Sequence, residues 1–304
     1  MDGRVLWTRP LPTCGRKGIW SSPTWVDGRL YLGAYNGTLY CLDAESGASV
    51  WEAALCEWIG SSPVVAKKHG LVFVGLEYAR PRAQGSICAL SLENGQEVWE
   101  KLLRVFQHGS GAYSERHDLV VFGTNDHNVV ALDATSGAVR WRFDTRRSVK
   151  YAPAIDDERD IVTFASFDGS IYILRLSSGQ KLAEISTGSI CYTTPLIKNN
   201  RLYCGSADKH MYVVDLDEMK LLERIDARAR IFSSPRAIGD HVIYGSSGGV
   251  VREIDGATLT LRGQLTVPDS VANAVAATQD GSRVFVSTVM NEIYAFDRRS
   301  PSLT

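Results

Sequence analysis

Apolar residues in this chain alternate with polar ones over runs of four to six positions, as at Leu30 and Leu32, and nowhere keep the three-to-four spacing of an amphipathic helix. Each run stops at a turn signal. Val26-Asp27-Gly28, Asn36-Gly37 and Asp43-Ala44-Glu45-Ser46-Gly47 punctuate the first stretch, and Asn-Gly supplies the positive φ that a tight hairpin needs. The pattern predicts short antiparallel strands joined by hairpins, with no long helix.

The pattern then repeats. SSPTWVDGRLYLGAYNGTLYCLDAESGASVWE from Ser21 returns as SSPVVAKKHGLVFVG…GSICALSLENGQEVWE from Ser61 and SGAYSERHDLVVFGTNDHNVVALDATSGAVRW from Ser110. Weaker copies start at Tyr151, Thr193, Ser233 and Asn273, which makes seven copies at the spacing of about 40 residues expected for propeller blades. The fold expected is all-β: one domain, residues 1–304, forming a seven-bladed β-propeller of four-stranded antiparallel blades. The last copy ends after its third strand at Phe296-Asp297, while Val5-Leu6-Trp7-Thr8 resembles Val50-Trp51-Glu52. Residues 4–8 are therefore expected to complete the C-terminal blade and remove a free edge. Trp7, Trp51, Trp99 and Trp141 recur on the fourth strand as packing residues; Ala183, Glu223 and Gly263 stand in their place later, where looser packing is expected.

The combination S-S-P, G-x-x-x-G-x-x-x-A-L-D-x-x-x-G and W resembles the pyrroloquinoline-quinone-type (PQQ-like) propeller repeat over essentially the whole chain. That family includes quinoprotein dehydrogenases, a bacterial outer-membrane assembly lipoprotein, and the propeller attached to some adenylate-forming acyl-CoA-synthetase-like proteins. The last leaves two expectations open, a module excised from a larger assembly and a standalone protein. The resemblance implies the fold and leaves function open, because the repeated residues build blades. The resemblance to quinone dehydrogenases would imply a vicinal cysteine pair beside the cofactor and usually an eighth blade, neither of which is seen, so no quinone or other cofactor is expected; the lipobox of the assembly lipoprotein is not seen either.

The formal charge is −1, with 33 basic and 34 acidic side chains, a balance that argues against wholesale nucleic-acid binding. No apolar run is long enough to span a membrane and the N-terminal residues lack a signal-peptide pattern, so a cytoplasmic, monomeric protein is expected. The six cysteines are scattered singly, without zinc or disulfide spacing. They are expected to be reduced, with Cys191 the one to watch.

Binding residues concentrate on the loops of rigid scaffolds, here the segments entering each first strand. Three positions before the S-S-P proline the alignment places Trp20, Gly60, Gly109, Lys150, Tyr192, Phe232 and Ala272. Two residues earlier stand Gly18, Trp58, Gln107, Ser148, Ile190, Arg230 and Ser270. Between these sets the register Ile19, Ile59, His108, Val149, Cys191, Ile231 and Val271 is mostly apolar and expected to pack between blades. Trp20, Trp58, Lys150, Tyr192, Arg230 and Phe232 are thus the candidate ligand-binding set, suited to a flat or anionic ligand; the alternative is that they plug the axial channel.

A basic rim that includes Arg16, Lys17, Arg146 and Arg147 suits anionic partners, or is a solvated charge ring. The second copy has an insertion at its hairpin tip, Leu76 to Gly85, whose Arg80 and Arg82 join Arg146 and Arg147 as candidate partner contacts, unless it is an indifferent surface loop. No catalytic motif and no metal-ligand spacing is present; His108, Lys150, Cys191 and Tyr192 are the candidates should the protein be an enzyme. The leading expectation is a non-catalytic scaffold that binds a partner protein, a carrier domain or a small anionic ligand. The rival is a biosynthetic lyase, cyclase or hydrolase.

Overall fold

The computed structural model describes residues 4–12, 18–79 and 84–298. Its strands form seven antiparallel sheets in chain order. The first contains β1 (Thr24–Val26), β2 (Arg29–Gly33), β3 (Thr38–Asp43) and β4 (Ser49–Ala54). The second contains β5 (Val64–Ala66), β6 (Leu71–Tyr78), β7 (Gln84–Ser91) and β8 (Glu97–Leu103), and the third β9 (Gly111–Ser114), β10 (Leu119–Gly123), β11 (Asn128–Asp133) and β12 (Val139–Asp144). In the fourth are β13 (Ala154–Asp156), β14 (Ile161–Ala165), β15 (Ser170–Arg175) and β16 (Lys181–Ser186); in the fifth, β17 (Leu196–Lys198), β18 (Arg201–Gly205), β19 (His210–Asp215) and β20 (Lys220–Asp226). The sixth holds β21 (Arg236–Ile238), β22 (His241–Gly245), β23 (Val250–Asp255) and β24 (Leu261–Thr266). The last holds β25 (Ala276–Ala277), β26 (Arg283–Ser287) and β27 (Ile293–Asp297). These sheets are the blades expected from the repeat.

Cα packing separates the chain into two compact units, residues 1–159 with 176–179 and residues 160–175 with 180–304. In each, the core lies between successive sheets. Leu39, Cys41 and Trp51 of the first sheet pack with Val72, Val74 and Leu90 of the second, and Met211 and Val213 of the fifth with Val242 and Tyr244 of the sixth. A sheet this small has apolar side chains on both faces and buries them only by stacking on a neighbour.

The motif residues have distinct tasks. The first Ser of S-S-P stitches its own sheet: Ser21 Oγ donates to Gly33 O at 2.8 Å and accepts from Gly33 N–H at 2.9 Å. The second joins each sheet to the one before it, since Ser62 Oγ accepts from Ser22 N–H at 2.9 Å and Ser110 Oγ from Ser62 N–H at 2.8 Å. Asp43 Oδ1 accepts the Ser46 N–H and hydroxyl at 2.8 and 2.6 Å, which closes the turn after the third strand. A register shift beside the Trp51, Trp99 and Trp141 positions recurs in the third-to-fourth strand pairing of six sheets, a bulge that bends the outer strand.

The N-terminal segment departs from expectation. Among the described residues, residues 4–12 form no strand and the last sheet has three. Side chains anchor the segment instead: Trp7 Nε1 donates to Ala44 O at 3.0 Å, and Arg9 bonds Gly47 O at 3.1 Å and Glu52 at 2.6 Å. Pro10 and Pro12 lack the N–H that a ladder requires. Trp7 nevertheless occupies, against the first sheet, the place that Trp51 takes against the second.

Candidate functional site

The entry segments seat one residue per sheet against the sheet before. Ile59, Val149, Ile231 and Val271 are fully buried and lie over Gly33, Gly123, Gly205 and Gly245, where any Cβ would fall 2.2 to 2.3 Å from the branched side chain. Cys191 occupies the same register and is fully buried, in a core with Ala165 and Cys204. Its Sγ lies 3.4 Å from Thr187 Oγ1. Contact with Cys191, together with burial, holds the Cys204 thiol well above its usual range.

The third entry segment corrects the sequence register by one residue. Gln107, not His108, lies over the preceding glycine, Gly75, and is fully buried, with Nε2 donating to Gly109 O at 3.1 Å and Gly123 O at 2.8 Å. His108 therefore belongs with Trp20, Gly60, Lys150, Tyr192, Phe232 and Ala272, replacing Gly109. Phe106 takes the place assigned to Gln107 beside Gly18, Trp58, Ser148, Ile190, Arg230 and Ser270. The slip arises because Gly109-Ser110-Gly111 has no proline to mark the register, and the polar Gln107 concealed a buried position.

Two aromatic groups result, one in each unit. In the first, the Trp20 ring, 68% exposed, lies 5.3 Å from that of Tyr35; Trp58 meets Phe106 at 6.0 Å and Phe106 meets His108 at 6.2 Å. In the second, Tyr192 packs between Phe167 at 4.7 Å and Phe232 at 5.0 Å, edge-on to the latter. Lys150, Arg146, Arg147 and Arg230 are exposed. Arg80, Arg82, Arg16 and Lys17 lie outside the described residues.

One group escaped the sequence reading altogether. The second sheet has strands of eight residues in β6 and β7, longer than the second and third strands of any other sheet, because the insertion lets the hairpin continue. Glu77 lies on this extension and pairs with Trp58 in an antiparallel bridge, with N–H to carbonyl distances of 3.3 and 3.1 Å. The Glu77 side chain is 2% exposed and its Oε1 is 2.7 Å from Nδ1 of the half-exposed His108. Burial, with the nearby Glu77 charge as the second cause, raises the pKa of the Tyr35 hydroxyl above its usual value. The signal was the insertion itself.

With this geometry in place, likeness to known proteins can be read. The family model described as outer membrane protein assembly factor BamB matches residues 1–217 and 159–303. The chain belongs to that family. Within this BamB-type, PQQ-like repeat family it is 23% identical, over an alignment of 320 positions, to outer membrane protein assembly factor BamB of Moranella endobia (strain PCIT), covering 98% of this chain and 79% of that protein. A shorter stretch of 99 residues is 29% identical to the beta-alanine-activating enzyme of Danio rerio; it spans 31% of this chain and only 9% of the enzyme.

Solved structures agree on the propeller fold. BamB from Moraxella catarrhalis superposes with a TM-score of 0.72 at 17% identity, covering 92% of this chain and 85% of that one. A europium-containing methanol dehydrogenase matches with a TM-score of 0.72 at 13% identity over 88% of this chain and 72% of that one. The computationally designed Ika8 protein reaches 0.73 at 17% identity over 91% and 83%. An assembly factor, a dehydrogenase and a designed protein share this backbone, so the fold alone selects no activity.

Proposed function

We propose that this chain is a docking scaffold for a protein partner, which it holds through the loops entering its first strands. Trp20 carries the reading: an indole 68% exposed, supported from below by the buried Tyr35 ring, is the kind of rigid aromatic anchor that dominates protein interfaces. Exposed Arg146, Arg147 and Lys150 on another entry loop of the same unit add cationic contacts for an acidic partner surface. Membership of a family named for an assembly factor supports the same reading.

The test uses a photo-crosslinking residue at position 20, 146 or 150, with position 98 on β8 as control. A discrete protein adduct is expected at the loop positions and not at the control. With the partner in hand, Trp20→Ala should weaken binding by about 2 kcal/mol or more, and Arg146→Ala with Arg147→Ala should weaken it less, and less again at high salt. Equal adducts at all four positions, or unchanged affinity in Trp20→Ala, would sink the proposal.

A further inference from the structure

In two sheets the tip between the second and third strands carries a carboxylate that a tyrosine of the third strand holds. Asp208 Oδ2 in the fifth sheet accepts from the Tyr212 hydroxyl at 2.6 Å and from Gly188 N–H, on the loop leading from β16 into β17, at 2.9 Å. Asp168 Oδ2 in the fourth accepts from the Tyr172 hydroxyl at 2.8 Å. Both tyrosines are buried. The sixth sheet has neither residue: Gly248 stands at the tip and Arg252 on the third strand.

A cavity of about 570 Å³ opens at these two positions, a size that suits a small ligand. Arg252 is half-buried in its wall and donates to Ala227 O at 2.7 Å. Among the described residues this is its one hydrogen bond, which leaves the other donors of the guanidinium fork to a ligand. Arg228 also lines the cavity, and the acid of the lining, Asp226, already accepts from Arg228 N–H at 2.7 Å. Two guanidinium charges against one carboxylate favour an anion. Val250 and Leu261 add aliphatic surface. We propose that this cavity binds a small aliphatic carboxylate, whose charged end meets Arg252 in the part that Asp208 plays in the fifth sheet and whose carbon chain lies against Val250 and Leu261. The site does not rest on the partner docking proposed above.

Butyrate and butyramide are the probes, since they share a shape and differ in charge. Ligand-observed NMR titration of the full chain should show butyrate binding about tenfold tighter or more, the worth of a charge-assisted hydrogen bond. Arg252→Tyr, which copies Tyr212, should reduce the ratio to about one. Gly248→Asp supplies the missing carboxylate from the chain itself and should also abolish the preference. Gly248→Ala should keep it, because it adds the same Cβ, 3.1 Å from that of Ala229, without the charge. Butyrate binding no tighter than butyramide, neither probe binding, a preference that survives in Arg252→Tyr, or one lost equally in Gly248→Ala and Gly248→Asp would each overturn the proposal. If Arg252→Tyr fails to fold, Arg252→Gln, whose amide still donates to Ala227 O, takes its place with the same expected loss.

Discussion

The indole of Trp51 lies so close to Gly95 that a Cβ on that glycine would stand 2.6 Å from the ring, while Trp51 Nε1 donates to Leu92 O at 3.0 Å. The same lock joins Trp7 to Gly47, Trp99 to Gly137 and Trp141 to Gly179, each with an indole N–H on a carbonyl of the same turn. Where the tryptophan is replaced the glycine goes too. Ala183 is followed by Met219, and Glu223 by Leu259, both at positive φ in the equivalent turn and packed into the core. The later sheets thus place a partly buried apolar side chain at the turn position where the earlier ones have a glycine under an indole.

Gly95→Ala should therefore destabilise the protein by about 1–3 kcal/mol through overpacking alone. Gly70→Ala is the control, because Gly70 has a similar φ of 64° but nothing within 4 Å of an added Cβ; its cost should be about 1 kcal/mol. Urea denaturation of the two variants gives the comparison, and equal losses would show that the ring contact does not matter.

Trp51→Ala should cost about 3–5 kcal/mol. Combining it with Gly95→Met copies the Ala183 and Met219 arrangement, and the double variant should be more stable than Trp51→Ala alone. A double-mutant cycle on thermal or urea stability measures the coupling; simple additivity would refute the idea that the pair shares one space.

Acid should release a different contact. Asp118 accepts from His69 Nε2 at 2.7 Å, Lys68 Nζ at 2.9 Å and the Tyr113 hydroxyl at 3.0 Å, and these bonds, His69 first, lower its pKa to about 2. A carboxyl whose folded pKa is depressed stabilises the fold above its unfolded value of about 4, and that contribution fades as pH falls toward 2. Asp118→Asn should flatten the fall in urea midpoint across that window. An unchanged slope would remove Asp118 from the acid response.

Cys41, Cys88, Cys191 and Cys204 are buried; for Cys41 and Cys88, burial is the chief cause that pushes the thiol pKa up. Cys56 is partly exposed, yet desolvation pushes its thiol up to about 12. Iodoacetamide, which needs the thiolate, should leave these five unmodified in the native protein and label all of them in urea. Rapid native labelling of Cys191, read by peptide mass mapping, would contradict the packing seen here.

By itself the sequence determined the blades. Alternation, turn residues and the repeat fixed strand order and the third-to-fourth strand turn, because those features act over a few neighbours and recur often enough to be read. It also determined that Trp51, Trp99 and Trp141 pack inward. Tertiary structure decided what each one packs on, since Gly95, Gly137 and Gly179 lie some forty residues further along the chain. It decided the register at Gln107 and His108, where no proline marked the alignment and only the fit over Gly75 distinguishes the buried neighbour from the exposed one. It decided, too, that Glu77 would lie buried against His108. An insertion is visible in a sequence, but where its extra strand residues point depends on a hairpin packing against another sheet's entry loop, and that is a property of the folded chain.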